Sequence, residues 1–97
     1  MNMATKALDL ATCSDWELVC AVNHDENDLP HDLQNTLMTT TWRKQDGYGT
    51  PGFSPPQGWD WSAIRDSTEQ AKKEMAQAIR IILCKHGITT FNYQALQ

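Results

Sequence analysis

The stretch from Trp61 to His86, WSAIRDSTEQAKKEMAQAIRIILCKH, decides how this chain is read. Apolar or small side chains recur at Trp61, Ile64, Thr68, Ala71, Met75, Ala78, Ile79, Ile82 and Leu83. The steps alternate threes and fours, which keeps the set on one stripe of an α-helix. Gly58 breaks the chain ahead of the stretch, and Asp60 or Ser62 is placed to cap its first free N–H groups. Gly87 stands where a left-handed C-terminal cap belongs, and Lys85 and His86 suit the negative end of the helix dipole. Glu69 and Lys73 make an i,i+4 pair in the favourable order. The spacing predicts one long amphipathic helix, whose stripe must find partners because propensity alone does not hold an isolated helix.

Those partners lie upstream. Ser14-Asp15-Trp16-Glu17 reads as a capping box, with Ser14 accepting from the Glu17 N–H and Glu17 reaching back. The helix it opens carries Trp16, Val19, Cys20 and Asn23 on one side, widened by Leu18 and Val22, and ends near Asn23-His24. Asp25 to Asp28 is too acidic and turn-prone to continue it. A second helix begins at Asp28 or Leu29, with Pro30 in its tolerated first turn and Leu29, Leu33, Leu37 and Thr41 at i,i+4 spacing. It is expected to reach about Thr40. Thr39 to Trp42 is β-branched and aromatic, so a short strand is the alternative there. Ile88 to Tyr93 has the same character and would be its partner. Met1 to Thr12 reads as polar and weakly helical.

The fold class expected is mainly α: a small helical domain spanning 1–97, with a long C-terminal amphipathic helix and a minor two-stranded β element at most, α+β being the alternative. The core should contain Trp16, Val19, Leu33, Leu37, Ile64, Ala71, Met75, Ile79 and Ile82, with Trp59 or Trp61 sealing its edge. Arg43 to Trp59 interrupts this scheme. It holds Gly47, Gly49, Gly52, Gly58, Pro51, Pro55 and Pro56, together with Tyr48, Phe53 and Trp59. Connections of that length are uncommon in compact domains, and its aromatics argue for a loop that packs over the core rather than a bare linker.

Several constellations invite chemistry and fall short of it. Gly47 to Gly52 has the letters of a GxGxxG phosphate loop, but no strand is expected before it and Ser54-Pro55-Pro56 follows where a helix should start. Phe53 to Pro56 suits polyproline II but lacks PxxP spacing. Cys13, Cys20, His24 and His31 resemble metal ligands in type, without the close pairs of structural zinc sites. Asp25 and Asn27 start an EF-hand ladder whose glycine and final glutamate are missing, since Pro30 and Thr36 stand there. No nucleophile signature such as GxSxG or HExxH is present. The chain is therefore read as non-enzymatic, with no cofactor and no metal. The three cysteines are read as reduced thiols in a cytoplasmic protein. No apolar run approaches the roughly 18 residues of a membrane span.

Charge distribution carries the functional reading. From Met1 to Trp42 there are seven acids (Asp9, Asp15, Glu17, Asp25, Glu26, Asp28, Asp32) and one base, Lys6, whereas the remainder holds seven bases and five acids. Asp25, Glu26, Asp28 and Asp32 crowd a break between helices, with Asp15 and Glu17 on the helix before it. Such a surface complements a groove lined with Lys and Arg, as in proteins that bind nucleic acid. In size and charge the chain resembles small acidic inhibitors carried by phages and mobile elements, such as anti-restriction and anti-CRISPR proteins that mimic nucleic acid. That resemblance implies a larger basic partner and inhibition of it. The alternative is a small helical DNA-binding or regulatory domain using Arg65, Lys72, Lys73 and Arg80. The chain would act as a monomer, or as a homodimer through the Ile81–Cys84 side of the long helix.

Overall fold

The computed structural model describes residues 5–45 and 61–96. Within them the order is β1 (Lys6–Asp9), α1 (Asp15–Asn23), β2 (Glu26–Asn27), α2 (His31–Arg43), α3 (Trp61–Arg65), α4 (Glu69–Lys85) and β3 (Thr90–Gln94). The fold is a small α+β arrangement: four helices and a three-stranded antiparallel sheet, ordered β1-β3-β2. The glycine- and proline-rich stretch, its GxGxxG letters and Trp59 lie outside the described residues.

The long helix is in fact two. Ser67 and Thr68 interrupt it, and the reason is local. Asp66, Ser67 and Thr68 are all residues whose short polar side chains compete for nearby backbone groups. The Ser67 hydroxyl donates back to Ala63 O at 3.0 Å. Thr68 leaves helical geometry (φ −65°, ψ 162°), and its hydroxyl accepts from the Ala71 N–H at 3.2 Å. It is thus the N-cap of α4 rather than a member of the apolar stripe. Glu69 pairs with Lys72 at 3.8 Å, not with Lys73, and with the Glu69 carboxylate open to solvent this contributes little. The C-terminal end forms as expected. Gly87 has φ +72°, its N–H bonds Cys84 O, and the Ile88 N–H reaches Leu83 O, the two bonds of a Schellman cap.

Ser14 caps α1 by accepting the Glu17 N–H at 3.1 Å, but Glu17 does not reach back; its carboxylate is used elsewhere. Pro30, extended at the N-cap, starts α2, which runs through Thr39–Trp42 to Arg43. The strand alternative for that segment is therefore wrong. Thr36, Thr40 and Thr41 each return a hydroxyl hydrogen to the carbonyl four residues back, which keeps β-branched residues compatible with helix. Asn23 at the end of α1 donates to Val19 O and to the buried Thr41 hydroxyl, pinning α1 against α2.

The sheet is the larger departure. Lys6–Asp9 is a strand, not weak helix, and the acidic break contributes a second, Glu26–Asn27. Both pair with β3: Lys6 with Tyr93, Leu8 with Phe91, Glu26 with Gln94 and Asn27 with Tyr93. Alternation puts Leu8, Phe91 and Tyr93 on the inner face, where all are buried. α4 packs against both α1 and α2. Met75, Ile79 and Leu83 meet Leu18, Val19 and Val22 from α1 and Leu33 and Leu37 from α2 in one cluster. Each such side chain contributes about 1.5–3 kcal/mol on burial. Trp16 and Ile82 are only half-buried at the rim.

Removing the N-cap should separate the contributions of α3 and α4. Thr68→Ala is expected to lower stability by about 1 kcal/mol. Urea unfolding followed by circular dichroism would show this as a lower midpoint with an unchanged slope.

Candidate partner-binding surface

The outer face of the sheet carries Ala7, Asp9, Thr90, Asn92, Gln94 and Glu26, as the register requires. Beside it Asp28 extends the β2 pairing, its N–H bonding Asn92 O at 3.1 Å. A shallow cleft of about 190 Å³ opens there, lined by Thr5, Glu26, Asp28, Asn92 and Gln94 among others. Among the described residues, no lysine or arginine lines it.

The acids expected to bind a partner have distinct positions. Asp25 is nearly buried, 8% exposed, and accepts the Leu96 N–H at 3.0 Å. Asp28 grips Asn92 with both oxygens, one on the backbone N–H and one on the side-chain amide, each at 3.0 Å. Glu17 accepts the Tyr93 hydroxyl at 2.7 Å. Asp9 accepts the Ala11 N–H and fixes the turn after β1. Asp15 meets Arg80 at 3.3 Å. Glu26 and Asp32 are exposed, and no side-chain bond to a described residue engages either. The sequence does not reveal that Asp25 and Asp28 complete backbone hydrogen bonding, nor that strand pairing brings Asp9 to the same outer face as Glu26.

The donors in these bonds are backbone N–H groups, an amide and a phenol, none of which brings a positive charge. Of the seven acids in the N-terminal half, six meet no base among the described residues; Asp15 is the exception.

The bases of the opposing reading have mostly been spent. The Arg80 guanidinium donates to Leu10 O and Cys13 O as well as to Asp15, closing the turn between β1 and α1. Arg65 lies against Asp66 at 3.1 Å. Lys72 sits 4.5 Å from the centre of the Trp16 ring. That ring stacks on Trp61 at 5.4 Å, and His24 stacks on Trp61 at 4.9 Å. Trp61 thus seals the core edge, as expected, by clamping α3 to α1. Lys73 is left exposed on α4.

Cys13, Cys20 and Cys84 are free thiols. Among the described residues, no three His, Cys, Asp or Glu side chains converge as a metal site. No helix among them is long and apolar enough to cross a membrane. No protein family, curated protein or solved structure matches the chain.

Two titrations follow from these contacts. The hydrogen bond to Glu17, then burial, push the Tyr93 hydroxyl up to about 12. A raised folded-state value means the stabilisation is complete below the ordinary tyrosine value of about 10 and is lost as pH rises through 12. Absorbance titration at alkaline pH should show a late phenolate step that Tyr93→Phe removes. That variant should lose about 1.5 kcal/mol at neutral pH, the low end for a charged hydrogen bond because Glu17 can be rehydrated. Burial, reinforced by Asp25, raises Cys20 to about 11. A disulfide reagent at pH 8 should therefore modify exposed Cys84 first and Cys20 last. Cys84→Ser should abolish the fast phase.

Proposed function

We propose that this chain is a small, non-catalytic partner-binding protein. It presents fixed carboxylates to a larger, basic, nucleic-acid-handling protein and inhibits it by occupying its nucleic-acid site. The observation that supports this reading is the unneutralised charge of the N-terminal half. Among the described residues no base meets Asp9, Glu17, Asp25, Glu26, Asp28 or Asp32, and Asp9, Glu17, Asp25 and Asp28 are held in place by hydrogen bonds from uncharged donors. A phosphate backbone likewise presents anions to a partner groove lined with Lys and Arg. Preorganised anions speed encounter and favour such a groove over neutral surfaces. An inhibitor of the anti-restriction or anti-CRISPR kind works by this logic. Direct DNA binding draws less support, because Arg80 and Arg65 already face carboxylates.

The test must remove charge without dismantling the sheet. Glu26→Lys and Asp32→Lys alter side chains that hold nothing. Asp25→Asn and Asp28→Asn keep an acceptor oxygen for the Leu96 and Asn92 N–H groups. Pull-down from a bacterial lysate with mass spectrometry should recover a nucleic-acid-binding protein with the wild type and not with the fourfold variant. Added duplex DNA should compete it off. Equal recovery by both forms would overturn the proposal.

A further inference from the structure

Among the described residues, β1 forms an open edge of the sheet. The Leu10 N–H donates to Thr89 O just past the Asp9–Thr90 pair, and this sets the phase of the ladder. In an antiparallel pair, residues alternate between exchanging bonds with the partner strand and turning their backbone groups away. Leu8 and Lys6 therefore bond β3, while the N–H groups of Ala7 and Asp9 point outward. No hydrogen bond outside the ladder engages either N–H. The Asp9 carbonyl is taken by the Thr12 and Cys13 N–H groups, so the edge offers two donors and the Ala7 carbonyl. Thr5, Lys6, Ala7 and Asp9 are exposed.

An added strand would alternate its side chains between the two faces. Those on the outer face lie beside Ala7 and Asp9, on a sheet face that also holds Glu26 and, among the described strand residues, no base. Those on the inner face meet Leu8 and the aliphatic stem of Lys6. A second copy pairing through β1 would bring two Asp9 carboxylates to one face without a base. The complementary occupant instead carries Lys or Arg at every second position and apolar residues between.

We propose that the free edge of β1 is a strand-addition site for an extended segment of the partner with basic residues at alternate positions. This rests on the reading of the partner as basic and adds how it is engaged.

The probe is a labelled eight-residue peptide alternating lysine and valine, titrated by fluorescence anisotropy. Ala7→Pro removes only an outward N–H and spares every bond to β3, so its melting curve should match the wild type. It should bind the peptide at least about tenfold more weakly. Asp9→Asn keeps the Ala11 bond and should weaken binding about threefold through lost charge. Methylating alternate peptide nitrogens should abolish binding, which keeps the proposal testable even if Ala7→Pro unfolds. Equal binding of the methylated and parent peptides would overturn strand addition. If that equal binding still falls with Glu26→Lys and Asp32→Lys, the acidic reading survives; if it does not, both fail. Dimerisation abolished by Ala7→Pro, with no peptide binding, would assign the edge to self-association and also overturn the proposal.

Discussion

The bond from the Tyr93 hydroxyl to the Glu17 carboxylate ties the sheet to the first helix and fixes how the two elements meet at the rim of the shared core. Tyr93 lies on the central strand and is buried, so its hydroxyl must find an acceptor that the strands do not supply. The first turn of α1 supplies it. The same solution recurs around the sheet. Asp28 takes the Asn92 N–H, and Asp25 takes the Leu96 N–H just past β3. A two-residue strand cannot by itself satisfy the backbone of its neighbour, and carboxylates at its ends complete what the short ladder leaves undone.

These acids therefore serve the fold and the surface at once. Ordinarily a charge used for structure is paired with an opposite charge and lost to the outside. Here the donors are neutral, so holding the sheet together and maintaining a negative field are the same act. The opposite treatment is given to Arg80, whose guanidinium is spread over two carbonyls and a carboxylate beneath the β1–α1 turn. Lys72 and Arg80 are the half-buried bases, while Lys6, Arg43, Lys44, Arg65, Lys73 and Lys85 stay exposed.

The helices were largely legible from the sequence. Ser14, Leu33, Leu37, Met75, Ile79, Leu83 and Gly87 do what periodicity and cap chemistry imply. The break at Ser67–Thr68 was not, because the apolar spacing runs straight across it and Thr68 was counted with the stripe rather than as a cap. The sheet was half legible. The β-branched and aromatic run ending at Tyr93 reads as a strand, but its partners carry no such mark. Lys6–Asp9 has one buried residue in four, and Glu26–Asn27 is polar throughout. What makes them strands is pairing with a distant segment, a tertiary effect that no local window contains. For the surface, composition located the acids. It could not say which of them also accept backbone hydrogen bonds.

β3 stands between β1 and β2, and it comes last in the chain. The strand near the start, pairing Lys6 with Tyr93, must wait for nearly the whole chain before it has anything to pair with. The helical hairpin of α1 and α2 can assemble from neighbouring segments, but the sheet cannot. Closing so long a loop is entropically slow, so sheet formation belongs at the end of folding rather than the beginning. During synthesis on a ribosome, the first strand would emerge and remain unpaired until β3 has followed it. The acidic face of the sheet then exists only once all three strands are present, since β1 and β2 meet only through β3.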